Sequence, residues 1–143
     1  MAQVTTTNGG FLGHVQDMLN THPGKPTYDR ALLLECIEAC FDCAQACVSC
    51  ADACIGERDP AKLTACIRLN NDCADICEAT GKIQSRQTAL DRNVMRAVIA
   101  ACATICASCA EECERHASQF EHCRVCAEAC RACEKSCKKV LAA

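Results

Sequence analysis

Residues 35–54 read ECIEACFDCAQACVSCADAC, and in them Cys36, Cys40, Cys43, Cys47, Cys50 and Cys54 recur at alternating steps of four and three. An α-helix turns once in about 3.6 residues, so these steps place every thiol on one stripe of one helix. That stripe is where a bundle helix carries its core side chains. The run extends about 27 Å at roughly 1.5 Å per residue. One binding site does not need that length, whereas a row of sites does.

The pattern repeats along the chain. A second group is Cys66, Cys73 and Cys77, a third is Cys102, Cys106, Cys109 and Cys113, and a fourth is Cys123, Cys126, Cys130, Cys133 and Cys137. Of the 14 intervals within the four groups, 13 are three or four residues and one is seven. Four helices are predicted, each with a sulfur seam. Ala44, Ala46, Ala51, Ala53, Ala103, Ala107 and Ala110 stand between the thiols. Alanine favours the helix and lets helices approach. Short connections between long helices favour antiparallel neighbours. The fold expected is all-α, an antiparallel four-helix bundle with an additional short N-terminal helix.

Punctuation sets the boundaries. Residues 1–9 are polar and Gly-rich, and fraying is expected there. Phe11, Leu12, Val15, Met18 and Leu19 predict a short amphipathic helix ending near His22-Pro23-Gly24. Pro26 and Thr27 open the first long helix, which runs to Ile55 and stops at Gly56. Asp59-Pro60 starts the second, which runs to about Thr80 with Gly81 loosening its end. Thr88 to Asp91 and Ser118 to Glu121 resemble capping boxes for the third and fourth, the latter reaching about Lys138. The division expected is 1–26, a tail and short helix, and 27–143, the cysteine-lined bundle.

Composition narrows the function. Aromatics are 3 % and Trp is absent, so 18 cysteines take over core filling. The net charge is −3 with no basic block, which argues against nucleic acid. No apolar run approaching the roughly 20 residues of a membrane span stands out, so no membrane partner is expected. The first basic residues are Lys25 and Arg30, so no basic leader is read and the expected location is cytoplasmic. Thiols there are kept reduced, which turns a cysteine-rich chain toward metal chemistry and away from disulfides. No paired acid–base residues around a pocket and no nucleotide loop are evident, so the chain is not read as an enzyme. Asp42, Asp52, Glu111, Glu112, Glu128, Arg131 and Lys135 lie off the stripe and are expected on a solvated face or, in part, at a subunit contact.

Soft thiolates select Cu(I), zinc or iron–sulfur clusters. A Zn²⁺ held by four thiolates keeps two net negative charges, and several such sites in a narrow core are costly. One Cu(I) per thiolate is neutral. The leading expectation is therefore a copper storage and buffering protein that binds multiple Cu(I) ions. Zinc or cadmium detoxification, an iron–sulfur electron carrier and a purely structural thiol core remain alternatives. No cysteine here precedes proline, unlike many ferredoxin runs.

In an antiparallel bundle Cys54, Cys66, Cys113 and Cys123 gather at one end. His116 lies three residues beyond Cys113, His122 four before Cys126, and Asn70 fills the gap between Cys66 and Cys73. This polar end is the expected mouth, with these three as candidate ligands beside the cysteines. Leu32, Leu33, Met95, Val98, Ile99, Val140 and Leu141 are expected to plug the other end, where Met95 is a core side chain or a thioether ligand.

The segments Glu35 to Cys54, CIRLNNDCADIC from Cys66 to Cys77, and HCRVCAEACRACEKSC from His122 to Cys137 resemble the bacterial copper storage proteins of the cytosolic kind. The similarity covers about residues 27–138. The resemblance implies a four-helix bundle filled with Cu(I)–thiolate sites, the 18 cysteines as ligands, and His116, His122 and Asn70 near the entrance. It further implies a homotetramer. Copper chaperones or copper enzymes are expected as exchange partners of a copper store.

Overall fold

The computed structural model describes residues 13–143. The expected frayed tail and the positions of Phe11 and Leu12 lie outside the described residues. Helix α1 spans Val15–Thr21, α2 Arg30–Ile55, α3 Thr64–Ser85, α4 Arg92–His116 and α5 Glu121–Ala142, with a 3-10 turn at Pro60–Leu63 before α3. Helices α2 to α5 form a four-cornered bundle. α2 packs on α3 and α5, and α4 packs on the same two, while α1 lies on the outside of α2.

Several boundaries differ from the sequence reading, each for a local reason. α2 begins at Arg30, because the Asp29 carboxylate accepts the Leu32 N–H at 3.0 Å and caps it. Asp59-Pro60 opens the 3-10 turn, and α3 follows at Thr64. Gly81 does not loosen α3, which continues to Ser85. A Cβ at Gly81 would stand 2.9 Å from Phe41 Cζ, so this glycine makes room for the α2 ring. Asp91 alone caps α4, accepting from Val94 N–H at 3.0 Å, while Thr88 faces His22. α5 has no side-chain cap from Ser118. Its first residue follows Phe120, whose N–H still bonds to His116 O at the end of α4.

α4 is, by length and composition, long and apolar enough to cross a membrane. This corrects the view that no such stretch exists. Much of its hydropathy comes from alanine and cysteine, and the cysteine face is buried within the bundle. Glu112, expected on the solvated face, is buried instead and pairs with Arg115 and His116. Leu33 leaves the expected plug, joining Leu19 and Ile37 in a separate apolar cluster against α1.

Candidate metal centre

Each long helix turns its cysteine stripe inward, and all 18 thiols are free and buried. No Sγ atom bonds another. The closest approaches run from 3.5 Å for Cys77–Cys106 to 4.0 Å for Cys54–Cys66, far beyond the roughly 2.05 Å of a disulfide. Contacts link the four helices along the bundle. Cys36 meets Cys137 at 3.7 Å near one end, and Cys40 meets Cys133 at 3.7 Å and Cys102 at 3.9 Å. In the middle, Cys43, Cys47 and Cys130 form a triangle with edges of 3.8, 3.7 and 3.6 Å. Near the other end Cys66 joins Cys54 and Cys113, and Cys50 lies 3.9 Å from Cys123.

This spacing suits metal. Three sulfurs about 2.3 Å from a shared ion, the bond length thiolates make to zinc, stand about 4.0 Å apart when trigonal and about 3.8 Å apart when tetrahedral. The thiols overlap in groups. Cys43, Cys77, Cys106 and Cys133 form one, Cys43, Cys47, Cys73 and Cys130 another, and Cys47, Cys109, Cys126 and Cys130 a third. Cys43, Cys47 and Cys130 each belong to two. Isolated four-thiolate sites would compete for these sulfurs, whereas clusters with bridging sulfurs use them.

The thiols also set one another's ionisation. A hydrogen bond with Cys113 leads in drawing Cys50 down to about 6, with Cys66 and His122 acting in the same direction. Hydrogen bonding with Cys137 leads in lowering Cys36 to about 4. Cys54 and Cys123 are pushed up, first by burial and then by charge on neighbouring thiolates. A cation bound among these thiols would offset the repulsion that adds to burial in keeping the second group protonated.

The structure separates the three non-cysteine candidates. His122 joins Cys50, Cys54 and Cys123 in one group, with Nδ1 3.4 Å from Cys50 Sγ and 3.6 Å from Cys123 Sγ. His116 turns to Glu112, its Nε2 3.2 Å from Oε1. Asn70 is fully buried among thiols. Its Nδ2 donates to Cys66 Sγ at 3.4 Å, and its Oδ1 accepts from Cys126 at 3.0 Å and Cys109 at 3.2 Å. At the far end Met95, Ile99 and Val140 are buried against the sulfur core, with Leu32 and Leu141 alongside.

One polar residue there escaped the sequence reading. Gln84 is fully buried, its Nε2 donates to Cys40 Sγ at 3.6 Å, and its Oε1 has no hydrogen-bond partner. The signal existed, since Gln84 lies seven residues after Cys77 and therefore on the same face.

The copper storage protein family profile matches residues 29–142. The chain belongs to the copper storage protein family. The Streptomyces lividans copper storage protein Ccsp, solved loaded with 10 copper equivalents, is 56 % identical, with a TM-score of 0.88 over 90 % of this chain and 98 % of that one. Cu(I)-bound BsCsp3 is 39 % identical with a TM-score of 0.67, covering 74 % of this chain and 94 % of its own. The Bacillus subtilis cysteine-rich protein YhjQ is 41 % identical over 71 residues, and the match spans 50 % of this chain and 62 % of that relative's length. The copper storage fold thus coincides with the thiol-lined part of the bundle.

Proposed function

We propose that this chain stores and buffers Cu(I), with its 18 cysteines as ligands and with His122 and Asn70 completing sites toward the mouth. The observation that carries this reading is the continuous run of free buried thiols at 3.5–4.0 Å from end to end. The interior holds sulfur in excess of any one site, and the neutral state of that interior is one monovalent ion per thiolate. Zinc would leave net negative charge at every four-thiolate centre, in a core with no buried Lys or Arg among the described residues to offset it. His116, held by Glu112, is assigned to the rim of the mouth.

Storage without catalytic turnover is the role proposed, in the cytosol, as for the S. lividans relative whose copper loading is described as that of a cytosolic protein. Assembly into a homotetramer is proposed from the resemblance. Exposed Val48 on α2 and Val125 on α5 support a subunit contact, because their neighbours Cys47 and Cys126 meet at 3.7 Å and so place them at one level. Sedimentation of the apo protein tests the assembly. Copper chaperones or copper enzymes are the proposed exchange partners.

Metal analysis of the protein isolated from cells grown separately in copper, zinc and cadmium tests the function. Many copper ions per chain after growth in copper are expected. Filling with zinc in ordinary medium, resistant to exchange by Cu(I), would overturn the reading.

A further inference from the structure

Glu57 is the first residue after the Gly56 cap of α2, in the connection to the 3-10 turn. Its own N–H bonds to Cys54 O at 3.2 Å, so its backbone is pinned to the last turn of α2. Its side chain crosses to α5, where Oε2 lies 2.8 Å from His122 Nε2. The opposite ring nitrogen, Nδ1, faces Cys50 and Cys123. The Phe120 ring stacks on the imidazole at 5.7 Å between centroids and 23° between planes. The His122 and Glu57 side chains are 25 % and 31 % exposed, so the pair stands where solvent meets the sulfur core.

An imidazole has two unlike nitrogens, and the hydrogen bond made by one decides what the other can do. In the neutral ring, Nε2–H donating to the Glu57 carboxylate leaves the Nδ1 lone pair toward the thiols. Phe120 stacks on one face of the ring, but a 180° flip about Cβ–Cγ keeps the ring plane, so the stack does not choose between the two ring orientations. Glu57 is the contact that distinguishes the two nitrogens. A carboxylate behind a ligating histidine fixes ring orientation and raises ligand basicity.

We propose that Glu57 is a positioning residue for copper uptake, holding His122 with Nδ1 toward Cys50, Cys54 and Cys123 so that arriving Cu(I) meets a preset nitrogen–sulfur site. The inference rests on the storage reading. Glu57 acts on the rate at which ions pass the mouth and leaves the number of interior thiolates unchanged.

The experiment compares wild type, Glu57→Leu, Glu57→Gln and His122→Ala as full-length reduced protein. Cu(I) is delivered from a weak chelator complex, uptake of the first two equivalents is followed by stopped-flow absorbance, and final capacity is measured by titration. Imidazole nitrogen NMR of His122 in the loaded protein reports which nitrogen carries the proton.

Glu57→Leu is expected to slow early uptake about 10- to 100-fold, the range for losing a residue behind a metal ligand, with capacity unchanged. Glu57→Gln, whose amide oxygen still accepts from Nε2–H, is expected to restore uptake to within about threefold of wild type and to keep the proton on Nε2. A role limited to anchoring the loop would lower the melting temperature without moving the NMR signature or the Gln rescue.

The proposal is overturned if Glu57→Leu loads at the wild-type rate with an unchanged nitrogen pattern, or if Glu57→Gln is as slow as Glu57→Leu. It also falls if His122→Ala loads as fast as wild type at full capacity, an outcome that leaves storage standing. Saturation of the wild type at one or two ions would instead remove the storage reading.

Discussion

Replacing Cys43, Cys47 and Cys130 together by alanine removes the triangle at the middle of the sulfur core. These three thiols touch at 3.6–3.8 Å and connect the groups on either side. In the metal-free protein each loss opens a void of about 20 Å³, costing roughly 0.5 kcal/mol at about 24 cal/mol per Å³. The lost transfer energy of one buried methylene-sized group adds about 0.8 kcal/mol per site. The triple variant is therefore destabilised by about 4 kcal/mol as an upper sum, since neighbouring voids merge and relax together. A domain with about 5–15 kcal/mol of stability stays folded. At about 2–4 °C per kcal/mol its melting point falls by roughly 8–16 °C. Circular dichroism under reducing conditions measures this, and Cu(I) titration against a competing chelator measures capacity. Capacity is expected to fall by about three ions, one per lost thiolate, because the flanking groups retain their own sulfurs. Unchanged capacity would mean that these thiols are not ligands. Loss of nearly all capacity would refute the row of semi-independent clusters in favour of one indivisible centre.

Gly81→Ala brings a methyl group to 2.9–3.0 Å from three atoms of the Phe41 ring. Overpacking of about 1–3 kcal/mol, offset by about 1 kcal/mol of helix preference, leaves a net loss of up to about 2 kcal/mol, which denaturant unfolding should show and a Phe41→Leu second change should relieve. Stability of the metal-free protein should also depend on pH through His122. Burial depresses its pKa, but the hydrogen bonds its protonated ring donates to Cys50 and Glu57 outweigh this and hold it above the ordinary value. The folded state thus gains protons relative to the unfolded one, and the contribution is complete below about pH 6.5 and fades as pH rises through the elevated value. In Glu57→Gln that loss should shrink, as followed by chemical denaturation across pH 5.5–8.

The helices were legible because cysteine at steps of three and four fits one helical face and nothing else. The seams on α2 and α5 carried that signal without interruption, and the structure buries every one of their thiols. Helix ends were harder. A Ser or Thr three residues before an acid looks like a capping box, yet Thr88 turns to His22, and Ser118 sits in a tight turn still bonded to α4. Gly81 looked like a terminus because its reason lies on α2, in Phe41, which only tertiary packing reveals. Spacing put His116 on the stripe of Cys113, yet it is His122 that the structure sets against the thiols, while His116 pairs with Glu112. His122 reaches the thiols because it sits in the first turn of α5 beside Cys123, opposite Cys50 of α2. Glu112 was read as solvated although its four-residue spacing from His116 was the available clue to their pairing. Glu57 carried no sequence signal, since its contact to His122 bridges 65 residues.

Titrating the fully reduced chain with Cu(I) while counting the protons released tests whether the buried thiols are the ligands. Each ligating thiol must give up its proton, so a neutral interior requires about one proton per ion at saturation. Saturation is expected at about one ion for each of the 18 cysteines, with that ratio. Saturation at one or two ions, or about four protons for each ion bound, would contradict it.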